Sequence, residues 1–126
     1  MKLVGEGVMT RLEFEDERER KRFAGAARSC CSSIVFAGAD GFGMLEATRA
    51  SFAIGVFLFA LAGSPFSSED VSYAIDMMGQ EEMHIEKLLG TRNRLRCPEA
   101  LERQLALVRW AKCALEEAER GRVQNG

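Results

Sequence analysis

From Ala50 to Ser68 the chain carries no charged residue, and its centre, SFAIGVFLFALA at 51–62, is apolar on almost every side of a helix. Nothing else in the sequence restricts the fold so strongly. At about 100° per residue, Phe52, Val56 and Phe59 share one face, and Ile54, Phe57 and Leu61 fall roughly opposite. Ala47, Ser51 and Gly55 form a row of small residues at four-residue spacing, where another backbone can come close. A helix that is hydrophobic all round has to be surrounded. Lipid is one way to surround it, but a span needs roughly 20 apolar residues. This run is about a dozen residues long before Ser64 and Pro65, and it lacks charged anchors. A membrane-associated helical protein is therefore only an alternative reading. The chain has 126 residues, enough for one domain with one core. Its other helices can cover two or three sides of this one. The remaining side predicts a homodimer packed through it.

The punctuation predicts four helices and no strand. Thr10 and Glu13 fit a T-x-x-E capping box, with Met9 and Phe14 placed as a hydrophobic staple. The first helix should start there. It should be exposed through the charged run 15–22, held by pairs such as Asp16–Arg20 and Glu17–Lys21, and packed from Phe23 to Phe36. The glycine-rich GADGFG at 38–43 reads as a turn, since its spacing matches no phosphate-binding loop. The second helix spans 44–62, with Gly63 as its C′ stop and Pro65 just beyond. The third opens at Ser67 or Ser68 and stops at Gly90. The fourth starts with Pro98 in its first turn and ends near Gly121. The fold class is thus all-α, a four-helix bundle-like single domain over 1–126, with 1–9 and 122–126 expected to be flexible.

Hydrophobic residues make up 47% of the chain and charged residues 29%, which suits a folded soluble protein. The formal net charge of −2 offers no field for nucleic acid or anionic lipid, so direct binding of either is not expected. The four cysteines, Cys30, Cys31, Cys97 and Cys113, form no C-x-x-C pair. They read as reduced thiols in a cytoplasmic protein. The first residues hold no apolar stretch long enough for a signal peptide.

The only histidine sits in QEEMHIEKL at 80–88. Glu81 and His84 make an E-x-x-H pair, the element that di-iron bundles use. Such a site needs two pairs and further glutamates, so one chain cannot build it. A dimer could pool two copies, with Glu46 as the added carboxylate, and a metal-binding or oxidation-related protein with a site at a subunit seam is the second function class. The expected metal and cofactor content is none, and no catalytic constellation announces an enzyme. The third helix shows a main apolar stripe of Val71, Ala74, Ile75, Met78, Ile85 and Leu89, with Glu82 inside it and Glu81 at its edge. A carboxylate so placed needs a cation. Arg49 and Arg28 are the candidates, in the same chain or across a dimer. Tyr73, Met77, His84 and Leu88 form a second stripe. TRNRLR at 91–96 could present its arginines to phosphates or acids, but a solvated loop is the simpler reading.

Apolar surface on more sides than one small core requires points to a regulatory protein that works by protein–protein binding. One concrete version is an antiactivator that sequesters a transcription factor. The expected interface residues are Phe52, Val56, Phe57, Phe59, Tyr73, Met77, His84, Leu88 and Trp110, serving a second copy of the chain and a protein partner, possible transcriptional regulators included.

Overall fold

The computed structural model describes residues 1–39, 44–91 and 97–125, and side chains within 1–33, 47–91 and 97–122. In chain order it contains β1 (Lys2–Val4), a 3₁₀ turn (Gly7–Met9), β2 (Arg11–Glu13), α1 (Glu17–Ala39), α2 (Met44–Ala62), a second 3₁₀ turn (Ser68–Asp70), α3 (Val71–Leu89) and α4 (Pro98–Asn125). The helical architecture agrees with the sequence. A small antiparallel sheet is added to it.

That sheet replaces the expected helix start at Thr10 and the expected loose lead-in at 1–9. Leu3 pairs with Leu12 across the strands, and both side chains are buried while Lys2, Arg11 and Glu13 are exposed. Between the strands the chain turns through Gly5 and Gly7, both at positive φ. A Cβ on Gly5 would collide with the carbonyl oxygen of Met9, so only glycine fits this turn. Thr10 uses its capping chemistry here: its hydroxyl donates to the Gly7 carbonyl at 2.9 Å. The Phe66 N–H donates to the Thr10 carbonyl at 2.8 Å, tying the hairpin to the segment after α2. The staple is not made, since Met9 is exposed and Phe14 packs its ring 5.4 Å from that of Phe23.

Helix α1 starts one motif later, with the same chemistry. The Glu19 N–H donates to Asp16 Oδ1 at 2.8 Å, and Glu19 Oε1 accepts from the Glu15 N–H at 3.0 Å. The first bond is the forward half of a capping box on D-x-x-E, and the return bond reaches one residue further back than the box requires. The charged first turns are exposed or half-buried, and Glu17 pairs with Arg20 at 2.9 Å rather than with Lys21. Burial starts at Phe23 and continues through Ala26, Ala27 and Cys30.

Helix α2 ends as the sequence requires. Gly63 takes φ +73°, its N–H donates to Ala60 at 3.2 Å, and the Ser64 N–H donates to Phe59 at 2.9 Å. These two bonds are a Schellman motif. Arg20 satisfies a further free carbonyl at this end, that of Leu61, at 3.0 Å. Helix α3 follows its 3₁₀ turn without a side-chain cap from Ser67 or Asp70. Helix α4 runs past Gly121 to Asn125, because glycine inside a helix costs only about 1 kcal/mol.

The core lies where all four helices and the hairpin meet. It is built from Phe23 of α1, Val56 and Phe57 of α2, Val71, Met78 and Ile85 of α3, and Val108 and Leu115 of α4, with Leu3 and Leu12 closing one end. Phe23 and Phe57 meet edge to face at 6.0 Å. Small side chains let the helices approach closely. A Cβ on Gly25 would come within 2.8 Å of Leu107 Cδ2, which marks tight contact between α1 and α4.

Candidate functional site

The burial pattern of α2 resolves the question its sequence poses. Ala50, Ala53, Val56, Phe57 and Ala60 are buried, one side of the helix at spacings of three and four. The opposite side faces outward. Its midline runs through Ser51, Gly55 and Ala62. Leu58, 62% exposed, stands on one flank, and Phe52 and Phe59, 44% and 50% exposed, stand on the other. Nothing lies within 4 Å of the place a Cβ on Gly55 would occupy. The result is a shallow groove of small residues between large apolar side chains, with no charge along it from Ala50 to Ala62.

The expected interface residues therefore divide. Val56 and Phe57, each 1% exposed, and Met77, at 8%, are core residues of the single chain. They cannot contact a partner. Their side of each helix is covered by neighbouring helices, which the helix's own periodicity does not reveal. Phe52 and Phe59 do face out. Tyr73 of α3 is half-buried and stacks on Phe52, with ring centroids 5.3 Å apart and planes 25° from parallel. His84 is exposed and Leu88 half-buried, on α3 away from this groove. Trp110 of α4 is half-buried, and the Arg22 guanidinium lies 4.0 Å above its ring. Leu58 is the residue missed. It sits three positions after Gly55, on the same face as the small-residue row, so the signal was present. Met83, 57% exposed on α3, and Val8 and Met9 at the hairpin turn are also exposed apolar residues.

On α3 the buried carboxylate is Glu81, not Glu82. Glu81 is 3% exposed. Its oxygens accept from the Ser29 hydroxyl at 2.8 Å and from the Ser33 hydroxyl at 2.7 and 2.8 Å. The Gln104 amide donates in turn to the Ser29 oxygen. Every buried polar side-chain atom among the described residues has a partner. Hydroxyl donors from α1 thus take the place of the arginine that a buried acid would otherwise need.

Glu82 faces α4 instead. It accepts from Arg109 Nε at 3.0 Å and lies 3.4 Å from Lys112 Nζ, while the other arm of Arg109 reaches Glu86 at 2.5 Å. The hydrogen bonds it donates to Glu86 and Glu82 hold the Arg109 guanidinium more firmly protonated than usual. Within the chain, Glu82 is paired with neither Arg49 nor Arg28. Those two lie on α2 and α1, whereas the cations that reach Glu82 both come from α4.

The E-x-x-H pair is split by the fold. Glu81 points into the core with its oxygens occupied, and His84 is exposed. Among the described residues no group of three or more histidine, cysteine, aspartate or glutamate side chains is placed to hold a metal. The side chain of Glu46 and the arginines of TRNRLR lie outside the described residues, as does the turn at 40–43. All four cysteines are free. Burial pushes the Cys30 thiol far above its ordinary range, with the nearby Glu81 charge adding to the effect. Burial also raises that of Cys31. Among the described residues no helix is long and apolar enough to cross a membrane. No protein-family model matches this chain, and neither characterised proteins nor solved structures yield a match to it.

Proposed function

We propose that this protein works by binding protein, and that the outer face of α2 pairs first with the same face of a second copy. The observation that carries this reading is the uncharged outward groove of Ser51, Gly55 and Ala62 between Leu58 and the pair Phe52 and Phe59. A surface of this kind complements itself. It offers large side chains and a channel of small ones on one face, which an isologous two-fold contact needs. Two copies also meet without opposing like charges.

The size of the face sets the strength of the contact. Two half-exposed phenylalanines and a mostly exposed leucine present roughly 300 Å² of apolar surface per copy. Burying it on both copies yields about 15 kcal/mol gross at 25 cal/mol per Å². The cost of association, about 4–15 kcal/mol, consumes most of that. The pairing is therefore reversible and depends on concentration. A reversible apolar face also regulates by competition. Offered to a protein that pairs through an apolar helix of its own, such as a transcription factor, it takes the place of that protein's second copy.

Disulfide trapping tests the reading. With Cys97 and Cys113 replaced by serine, Ser51→Cys should give a cross-linked dimer on mild oxidation, and Ala106→Cys on the exposed side of α4 should not. Equal trapping at both positions, or none at Ser51→Cys, would refute it.

A further inference from the structure

The outer face of α2 is too small to act alone. It presents roughly 300 Å² of apolar surface per copy, whereas a stable interface takes about 800 Å² from each partner. The contact has to spread onto one flank of the helix. Beyond Leu58 lies α1, whose Arg20 is already engaged: it pairs with Glu17 and donates to the Leu61 carbonyl. Beyond Phe52 lies α3, reached through the ring stack with Tyr73. There a cleft of about 430 Å³ opens, lined by Arg49 and Ala50 of α2 and by Tyr73, Asp76, Gln80 and Met83 of α3. Tyr73 belongs to both surfaces. Apolar surface therefore continues from the α2 face into the cleft, as far as Met83, 57% exposed.

Four charged residues line this cleft, namely Arg49, Asp76, Glu82 and Lys112. Glu82 and Lys112 pair with each other at 3.4 Å, and Glu82 also pairs with Arg109. Arg49 and Asp76 are exposed. Among the described residues neither makes an ion pair or a side-chain hydrogen bond. They are opposite in sign and border the same apolar surface.

We infer that the α2 pair is completed on its α3 flank, with Arg49 of each copy meeting Asp76 of the other across the two-fold axis. The inference rests on the self-pairing of α2. An isologous contact makes every pair twice, so one free cation and one free anion beside the face supply two bridges. Exposed ion pairs are weak. These two fix the orientation of the copies more than the affinity, while Tyr73 and Met83 add the apolar area that α2 lacks. Another protein that displaces the second copy must then bring an acid to Arg49 and a base to Asp76.

The test is sedimentation velocity over a concentration series at low ionic strength. Arg49→Glu and Asp76→Lys each turn both bridges into like-charge contacts. Each should weaken self-association about tenfold, with an unchanged melting temperature in dilute solution. Mixed in equal amounts, the two variants place opposite charges at both contacts, so the mixed pair should form with the native affinity. A bridge within one chain could not be restored by mixing. Arg120→Glu, the same charge change on α4, should have no effect. No weakening by either substitution, or a mixture no tighter than its separate components, overturns the inference. If Leu58→Glu still weakens association in that case, the α2 face stands and only its α3 flank is lost. A native chain that stays monomeric at millimolar concentration removes both.

Discussion

Phe57 and Leu58 are neighbours in sequence and opposites in the fold, at 1% and 62% exposure. Replacing Leu58 with glutamate separates the stability of the chain from its self-association. In the single chain the new carboxylate points into water, so stability should move by no more than about 0.5 kcal/mol. In the paired state the loss is larger. Fully burying a leucine is worth about 1.5–3 kcal/mol, and the exposed share of Leu58 makes this about 1–2 kcal/mol per copy. A symmetric pair loses it twice, about 2–4 kcal/mol, which weakens association roughly 30- to 1,000-fold. Two glutamates brought together add repulsion on top. Sedimentation velocity over a concentration series, with a thermal melt by circular dichroism on the same samples, reads both quantities. Phe57→Ala is the counterpart and should cost about 3–5 kcal/mol of stability. An unchanged dissociation constant for Leu58→Glu, or a strongly lowered melting temperature for it, would refute the assignment of faces on α2.

The acids of α3 should separate in the same way. Glu81→Ala strips Ser29 and Ser33 of their acceptor inside the core and should cost about 2–4 kcal/mol by denaturant titration, whereas Glu82→Ala removes only half-exposed ion pairs and should cost far less. Cys97 and Cys113 should react rapidly with a thiol reagent at neutral pH, Cys31 more slowly, and Cys30 only on unfolding, because burial raises both adjacent thiols and leaves little thiolate. The raised Cys30 thiol also has a signed consequence. Below about pH 9, its ordinary value, it is protonated in both states and stability is intact. Above that only the unfolded chain ionises, so stability falls as pH rises, and Cys30→Ala should flatten that part of the curve. Asp16→Ala should remove about 1 kcal/mol through the lost cap on α1, measured by the same titration.

How much of this was legible depends on whether the deciding contact is local. The C-terminal end of α2 could be read, because a glycine that must take positive φ and a proline just beyond it fix it without help from elsewhere. The start of α1 could not. Thr10-x-x-Glu13 and Asp16-x-x-Glu19 are both sound capping patterns, and the choice rests on Leu3 meeting Leu12 and Phe66 bonding to Thr10. Strands of three residues are too short to show a period. Glu81 and Glu82 each fit between Met78 and Ile85, three and four residues on from Met78. Only the arrival of Ser29, Ser33 and Gln104 on one side and Arg109 on the other decides which is buried. A helix that is apolar all round announces that it must be covered. It does not say which of its sides the rest of the chain covers, and so Val56 and Phe57 were grouped with Phe52 and Phe59.

Sedimentation equilibrium of the unaltered chain from micromolar to millimolar concentration tests the central claim most directly. A reversible monomer–dimer equilibrium is expected within that range, with no larger species. A chain that stays monomeric throughout would contradict it, and the outer face of α2 would then be plain surface rather than the place where this protein meets its own copy.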